Sequence, residues 1–347
     1  MDLRAPDYFE QFHCLAGACP HSCCEGWEVE IDGASADFYR ALPGPLGECL
    51  RAALQTEDGE DYFALTGTGR CPFWDADGLC AIHRALGPEH TGEVCRSHPR
   101  FIEDYGPLRE TSLCASCPEA CRLLLDSTAP LTFPLTQTNE AGEPPDPWLS
   151  PLLVWRAKAL ELLQNRSQPL YFRLGALLTF ADAAQALLDE DAAEEIPSLC
   201  RDWTGTVLPI PPVGEGLFPE GWALLSGLEI LGDDWRTLLR RGGETVPGAV
   251  AEPLLERITA YFLFRYALKS INDGDLLGRI QFVLFSTLTV ERAASLLPLS
   301  EALRLYCREI EHDAENLDAL LLAFRTNSAF APASFLRTLR INILPDI

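Results

Sequence analysis

The stretch FHCLAGACPHSCCEGW, residues 12–27, places four cysteines within eleven positions. Packing alone gives no reason to set two cysteines side by side, so a cluster this dense needs a chemical reason. Six more cysteines follow it, at positions 71, 80, 95, 114, 117 and 121. Thiolates are soft ligands that suit zinc, copper(I) and iron–sulfur clusters, and four of them can close a tetrahedral site or hold one cubane cluster. The stretch therefore predicts an N-terminal region organised around bound metal.

Length and composition indicate a globular protein of about two domains. The chain has 347 residues, of which 47% are hydrophobic, and no run approaches the roughly 20 apolar residues that a membrane-spanning helix needs. The first residues, MDLRAPDYFEQ, lack the basic start and the apolar stretch of a signal peptide. We therefore expect a cytoplasmic protein, in which thiols stay reduced and a dense cysteine set binds metal more often than it forms disulfides.

The charge balance is strongly acidic. The formal net charge is -24 at pH 7, which repels phosphate backbones and anionic lipid and so argues against nucleic acid and membrane surfaces as partners. The same field attracts a cationic group, such as a lysine side chain presented by another protein. Acidity also keeps a protein soluble, and the composition leaves both interpretations open.

Composition divides the chain into three segments. Residues 1–125 contain eleven of the thirteen cysteines and many glycine, proline and aspartate residues, which indicates an irregular domain held by its metal more than by a large core. Residues 126–150 contain five prolines and are predicted to be a linker. From 151 to 347 apolar residues recur at helical spacing. The predicted fold is mainly α, with an irregular cysteine-rich metal-binding N-terminal domain packed on a helical C-terminal domain.

Helix-breaking residues and the spacing of apolar residues predict where the individual helices and strands lie. Helices are predicted at 151–164, at 170–188, at 253–270, from Asp275 onward and at about 299–325. In the N-terminal domain, VEID at 29–32 alternates as a short strand does, and Ser35 is the expected cap of the helix that follows. Residues 200–220 are rich in proline and glycine and receive no assignment.

Two common enzyme signatures are absent from the sequence. Radical enzymes that cleave S-adenosylmethionine typically carry CxxxCxxC, whereas this chain has CxxCxxxC at Cys114, Cys117 and Cys121. The glycines at 67 and 69 are followed by Arg-Cys-Pro and not by a helix, so no dinucleotide-binding loop is indicated either.

Several short motifs accompany the cysteine stretch in a fixed order. They are HSCCEGW at 21–27, CPF at 71–73, GLCAIH at 78–83 and SCPE at 116–119. In this order they resemble the CxxCxxCC family of zinc- or iron-chelating domains and, more specifically, bacterial flagellin lysine-N-methylases. The second half is similar to the same methylases at YFLFRY (261–266), DGDLLGRIQF (273–282) and LYCREIEHDAENL (305–317). The resemblance covers both ends and most of the chain.

This resemblance implies a protein-lysine N-methyltransferase that transfers methyl groups from S-adenosylmethionine to flagellin. It also implies a [4Fe-4S] cluster held by cysteines, with zinc as the alternative metal. Eight cysteines match the family pattern and are the candidate ligands: Cys14, Cys19, Cys23, Cys24, Cys71, Cys80, Cys95 and Cys117. Cys114 and Cys121 depart from that pattern. Because the radical signature is absent, direct displacement of the sulfonium methyl group by the lysine nitrogen is the favoured mechanism, and a redox role of the cluster stays open.

A second constellation is predicted on the helix at 299–325. At 100° per residue, Glu309, His312 and Asn316 lie within roughly 60° of one another, beside the apolar stripe that carries Tyr306. A lysine amine, whose pKa is about 10.4, attacks only when it is deprotonated, so these groups are expected to orient it and accept its proton. With two residues from the other family-like stretches, the candidate catalytic set is Tyr306, Glu309, His312, Asn316, Arg265 and Asp275. The alternative is a structural role, in which these groups form hydrogen bonds along a helix rim.

A non-enzymatic function is the rival hypothesis. In it the cysteines store or deliver zinc or iron, as in a maturation protein, and the helical half docks a partner. A methylase binds S-adenosylmethionine stoichiometrically, whereas a metal carrier releases its metal to a competing chelator.

Overall fold

The computed structural model describes residues 1–26, 29–138, 142–207, 216–248 and 250–343, with the backbone alone from 340 onward. Trp27 of the cysteine stretch lies outside these residues, as do parts of the segments 126–150 and 200–220. The described chain is mainly α-helical with two small sheets, which confirms the predicted fold class at this level.

Short strands and helices dominate the first part of the chain, and longer helices the second. The strands are β1 (Asp2–Arg4), β2 (Val29–Ile31), β3 (Leu54–Glu57), β4 (Glu60–Phe63), β5 (Arg100–Asp104), β6 (Leu108–Leu113) and β7 (Leu135–Gln137). The helices before residue 203 are α1 (Gly33–Ala41), α2 (Gly44–Ala53), α3 (Ala81–Leu86), α4 (Glu93–Ser97), α5 (Pro118–Leu125), α6 (Leu149–Leu163), α7 (Leu170–Asp189) and α8 (Ile196–Asp202). The later helices are α9 (Glu220–Ser226), α10 (Asp233–Arg240), α11 (Glu252–Tyr266), α12 (Ser270–Asp273), α13 (Leu276–Ala293), α14 (Leu299–Ile310), α15 (Ala314–Thr326) and α16 (Pro332–Ile343). No helix within the described ranges is both long and apolar enough to cross a membrane.

The chain forms two compact units that alternate along the sequence. One, here called the cysteine-rich unit, contains residues 11–101 and 113–121. The other, the helical unit, contains residues 1–10, 102–112 and 122–347. The division at 125 and 150 expected from composition stays a prediction.

The cysteine-rich unit has a small apolar core. Its antiparallel sheet has the strand order β2-β4-β3, and Tyr39 of α1 and Leu50 of α2 are fully buried in the core beside it. The N-cap of α1 is Asp32, whose carboxylate accepts a hydrogen bond from Ser35 N at 3.0 Å. The predicted cap at Ser35 is therefore wrong by three residues, because the aspartate before it already satisfies a free amide of the first turn.

The sheet of the helical unit brings distant segments together. Its strand order is β5-β6-β1-β7. β1 pairs in parallel with β6, with Asp2 opposite Leu108, and antiparallel with β7, with Asp2 opposite Gln137. β7 lies within the proline-rich segment 126–150, so part of that segment is ordered by strand pairing.

Helix α13 is the central element of the helical unit. It is buried along nearly its whole length and packs against α7, α11, α14 and α15. It begins after Asp275, as predicted, and Asp275 Oδ1 accepts a hydrogen bond from Gly278 N at 2.8 Å. A Cβ atom at Gly278 would lie 2.2 Å from Asp275 Oδ2, so a larger residue there would require the aspartate side chain to shift. The helices predicted at 151–164 and 170–188 are confirmed as α6 and α7, whereas the one predicted at 253–270 ends earlier, at Tyr266, as α11.

The single helix predicted at 299–325 is wrong, because two helices occupy this segment. α14 ends at Ile310 and α15 begins at Ala314. Asp313 is the N-cap of α15, and its Oδ1 accepts a hydrogen bond from Asn316 N at 2.9 Å. An aspartate that caps an amide three residues later favours a new helix start over continuation of the old helix. The 100° spacing therefore does not relate Glu309 to Asn316 across this break.

Candidate functional site

All eight predicted metal ligands lie in the cysteine-rich unit, and all are reduced thiols. Cys71 and Cys80 are partly buried and pack against the apolar core of that unit. Cys14, Cys23 and Cys95 are exposed as whole residues. The set therefore extends from the core to the surface of one compact unit.

A tight turn joins Cys71 to Cys80. Trp74 and Cys80 pair as an antiparallel bridge, and Gly78 between them has a φ of 77°, which favours glycine. Cys71 N donates a hydrogen bond to Cys24 O at 2.8 Å. The N-terminal cysteine stretch and the CPF turn are thus held side by side by backbone contacts.

Backbone amides point at four of the eight sulfur atoms, of which that of Cys14 accepts a hydrogen bond from Ala16 N at 3.4 Å. Cys71, Cys80 and Cys117 each accept a hydrogen bond from an amide two or three residues further along the chain. Such hydrogen bonds stabilise negative charge on sulfur, and the thiolate is the form of cysteine that binds metal. The local backbone at these positions is therefore suited to thiolate ligands.

Electrostatic interactions place seven of the eight thiols in two groups. The first group is Cys24, Cys71, Cys80 and Cys95. The second group is Cys14, Cys19 and Cys117. Cys23 interacts with Cys24 and Cys95 of the first group and with Cys14 of the second. The fold thus gathers ligands that lie up to 71 positions apart in the first group.

The ionisation of these thiols depends on their crowding. Desolvation, to which neighbouring thiols add, raises the pKa of Cys95 to about 12 and that of Cys71 to about 11. The hydrogen bond between the adjacent Cys23 and Cys24 lowers the pKa of Cys24 to about 7 and raises that of Cys23. Within the described residues, no three His, Cys, Asp or Glu side chains converge closely enough to hold a metal ion.

Glu309 is fully buried on α14, and protein donors already bind its carboxylate. Oε2 accepts a hydrogen bond from Leu231 N at 2.8 Å, and Oε1 accepts one from Arg308 Nη2 at 2.7 Å. These contacts anchor the segment 227–232 between α9 and α10. A lysine ammonium group would have to displace one of the two donors to reach this carboxylate.

Asn316 on α15 anchors the same segment. Its Oδ1 accepts a hydrogen bond from Glu229 N, and its Nδ2 donates one to Glu229 O, each at 2.9 Å. Nδ2 also donates to Glu309 O at 2.9 Å. Glu309 and Asn316 are thus brought together across the helix break, in contacts of the kind that a structural role predicts.

Tyr306 is a residue of the buried core, and Asp275 is a helix cap. Tyr306 is fully buried, its hydroxyl lies 2.8 Å from Ser286 Oγ, and its ring packs edge-on against two aromatic rings. Asp275 caps α13 with Oδ1, and its Oδ2 lies 3.4 Å from Arg325 Nε.

Arg265 lies in a buried polar network centred on Glu311. Its Nε donates to Glu311 Oε1 at 2.8 Å, and its Nη1 donates to Ser112 Oγ at 2.6 Å. The hydroxyl groups of Tyr261 and Tyr266 donate to the same carboxylate, at 2.7 and 3.0 Å. Burial raises the pKa of Glu311, but Arg265 and the tyrosine hydroxyl groups outweigh it, and the pKa is lowered overall.

His312 follows Glu311 directly and is half-buried. Burial lowers the pKa of His312, the charge of Glu311 opposes this shift, and that of Arg265 adds to it. A pKa below the usual value of about 6.5 leaves the imidazole neutral at pH 7, with one basic nitrogen. Of the six predicted catalytic residues, the structure therefore brings His312 and Arg265 together around Glu311.

Four residues of this network, Glu311, Ser112, Tyr261 and Tyr266, are not among the site residues predicted from the sequence. Helical spacing on one continuous helix places Glu311 away from the selected face, and Ser112 is far away in the sequence. One signal in the sequence could have indicated Glu311. The capping pattern Asp313-x-x-Asn316 marks the start of a new helix, so Glu311 lies at the end of the previous helix and the spacing of one continuous helix does not apply to it.

Comparison with known proteins identifies relatives of this chain. The model of the family described as FliB lysine N-methylase C-terminal domain matches residues 156–208, which include most of α6 and the whole of α7 and α8. The lysine-N-methylase of Salmonella typhimurium is 26% identical over 205 residues, which are 56% of this chain and 51% of that protein. The flagellar biosynthetic protein FliU of Salmonella muenchen is 26% identical over 130 residues, which are 36% of this chain and 77% of that protein. No solved structure matches the chain.

The lysine-N-methylase of Salmonella choleraesuis is likewise 26% identical over 205 residues, which are 56% of this chain and 51% of that protein. The chain thus spans about half the length of the lysine-N-methylases that it matches. The family model falls on helices of the helical unit, which also contains the Glu311 network. These matches show that the chain is similar to lysine-N-methylases, with residues 156–208 matching the FliB lysine N-methylase C-terminal domain.

Proposed function

We propose that this protein transfers methyl groups from S-adenosylmethionine to lysine side chains of flagellin. Similarity to known proteins carries the proposal, because the relatives are named as lysine-N-methylases and as a flagellar biosynthetic protein. A methylase requires a methyl donor, and S-adenosylmethionine is the donor that this chemistry implies. The net charge of -24 favours a substrate that presents a cationic lysine.

His312 is the proposed base. A lysine ammonium group must lose a proton before its nitrogen can attack, and the neutral imidazole can accept that proton. Glu311, held by Arg265 and two tyrosine hydroxyl groups, keeps a negative charge beside the imidazolium that forms. The lysine nitrogen then bonds to the methyl carbon as the carbon–sulfur bond of the sulfonium breaks, and the electron pair stays on sulfur.

Coexpression with flagellin tests the proposed activity. Flagellin from cells that contain this protein is expected to carry methylated lysines, which intact-mass and peptide mass spectrometry detect as added methylene units. Flagellin from cells without it is the control. Unmodified flagellin, together with metal release to a chelator, would instead favour the metal-binding or maturation function.

We further propose that the first thiol group, Cys24, Cys71, Cys80 and Cys95, holds a [4Fe-4S] cluster, with zinc as the alternative metal. Four thiolates are the number that a cubane cluster or a tetrahedral zinc ion takes. The amide donors at Cys71 and Cys80 and the mutual interactions of the four thiols support this choice. When bound, a cluster would cross-link the loops of a unit whose own apolar core is small.

Metal analysis of protein purified without oxygen tests this assignment. We expect brown protein with about four iron and four sulfide per chain, and Cys71→Ser is expected to lose most of both. Cys49→Ser is the matched control, because Cys49 is an exposed cysteine of the same unit that belongs to neither group. Cys117→Ser, in the second group, is expected to retain the iron. Colourless protein that contains only zinc, or full iron content in Cys71→Ser, would contradict the assignment.

A further inference from the structure

A pocket of about 410 Å³ opens beside the segment that Glu309 and Asn316 anchor. The end of α9, the segment 227–232 and α10 form its walls, all within the helical unit. The lining residues are Ser226, Leu228, Ile230, Arg236, Leu239 and Arg240. Pockets of this volume, with apolar walls and a few charged groups, are typical of small-molecule sites.

The charges in the pocket are unusual for this chain. Arg236 and Arg240 are four residues apart on α10 and so project from one face of the helix, where like charges destabilise it. The carboxylate nearest to Arg236 is that of Asp233, at 3.8 Å, and Asp233 is 99% exposed. Arg240 makes no ion pair with any residue that the structure describes, in a chain with 51 acidic and 27 basic residues. Arg240 without an ion pair in the described part of the chain, beside Arg236 whose carboxylate partner Asp233 is 3.8 Å away and fully exposed, favours an anionic ligand.

Side chains of α14 and α15 hold in place the segment 227–232, which forms the pocket wall between α9 and α10. Glu309 accepts a hydrogen bond from Leu231 N, and Asn316 binds both backbone groups of Glu229, so two buried side chains from other helices hold the segment 227–232. Gly232 continues this packing: a Cβ atom there would lie 1.8 Å from Arg308 Nη2. A pocket whose wall is held in place before binding loses less entropy when a ligand enters.

We propose that this pocket binds the adenosine-containing methyl donor through its carboxylate. The carboxylate lies on Arg236 and Arg240, and the flat adenine ring lies against Leu228, Ile230 and Leu239. In naming the donor, the inference rests on the proposed methyl transfer. It assigns to Glu309 and Asn316 a positioning role, since they hold the wall of the donor site and do not touch the reacting atoms.

Calorimetric titration of the full-length protein with S-adenosylhomocysteine tests the proposal. This product carries the same carboxylate and adenine but no sulfonium charge. Arg236→Gln and Arg240→Gln are each expected to weaken binding about 10- to 100-fold, the usual effect of losing a hydrogen bond to a charged group. Arg201→Gln is the matched control, because Arg201 is an exposed arginine of α8 outside the pocket. Leu228→Glu, which places a negative charge in the wall, is expected to abolish binding while the melting temperature stays near that of the wild type.

Two further titrants distinguish the contributions of the ligand. Adenosine lacks the carboxylate and is expected to bind far more weakly than S-adenosylhomocysteine; equal affinity would refute the role of the arginines. Tighter binding of adenosine monophosphate would show a phosphate site and would overturn the assignment to the donor. Unchanged affinity in both arginine variants would refute the pocket as the donor site.

The failure of this proposal is distinguishable from failure of the proposed function. If the wild-type protein methylates flagellin but the arginine variants bind S-adenosylhomocysteine normally, the pocket assignment fails and the activity stands. If binding depends on the arginines but flagellin stays unmodified, the pocket stands and the flagellin substrate fails.

Discussion

Replacing Arg156 by methionine is expected to lower the free energy of unfolding by about 3–5 kcal/mol, because it leaves the Glu110 carboxylate buried without its main partner. Arg156 and Glu110 are 2% and 4% exposed. Nη1 and Nη2 of Arg156 bind the two carboxylate oxygens of Glu110 at 2.6 and 2.5 Å. Nη1 also donates to Phe264 O at 3.1 Å. The side chain thus joins α6 to β6 and α11.

Denaturant unfolding followed by tryptophan fluorescence measures this loss. Arg122→Met is the control, since Arg122 pairs with Asp126 at 3.3 Å on the surface, where such a pair contributes less than about 1 kcal/mol. Adding Glu110→Leu to Arg156→Met is expected to recover much of the loss, because the unpaired buried charge is then gone. An equal effect of Arg156→Met and Arg122→Met would contradict the argument.

Replacing His312 by alanine is expected to reduce methyl transfer to flagellin by about 100-fold or more, the usual contribution of a general base. Added imidazole is expected to restore part of the rate, which a purely structural role would not explain. Because burial lowers the pKa of His312, the wild-type rate is expected to fall with acidity only below the usual histidine pKa of about 6.5. His312→Ala is expected to lose this dependence.

The variant Glu309→Gln tests whether Glu309 only anchors the segment 227–232 or is itself the catalytic base in place of His312. The amide oxygen can still accept a hydrogen bond from Leu231 N, but the charge opposite Arg308 is lost. We expect a lower melting temperature and a higher KM for S-adenosylmethionine, with kcat at saturating donor close to the wild-type value. A 100-fold loss of kcat in well-folded Glu309→Gln would instead identify Glu309 as the base, and normal turnover in folded His312→Ala would remove His312 from the site.

Apolar periodicity was sufficient to place α6, α7 and the start of α13, because it reports which face of a helix is buried. It does not report what that face is buried against. The carboxylate of Glu309 binds a backbone amide 78 residues away, and Arg265 binds a serine 153 residues away. No local pattern contains such pairs, so the anchors of the segment 227–232 and the Glu311 network could not be derived from spacing.

The cysteine motifs likewise do not show which distant thiols come together. Their number and their motifs single out eight residues, because packing alone seldom places thiols side by side or at both ends of a tight turn. How the thiols divide between groups depends on the turn at Gly78 and on the backbone contact between Cys71 and Cys24. Only the fold supplies that information.

Strand β1 pairs only with strands that lie far from it along the chain. Its partner β6 begins at Leu108, and β7 ends at Gln137. The ion pair between Arg4 and Glu110 spans 106 positions of the chain. Because the entropy of closing a loop grows slowly with its length, this separation costs little in the finished protein. During synthesis, however, β1 cannot form its sheet until β6 has been translated, which comes after residues 11–101 of the cysteine-rich unit.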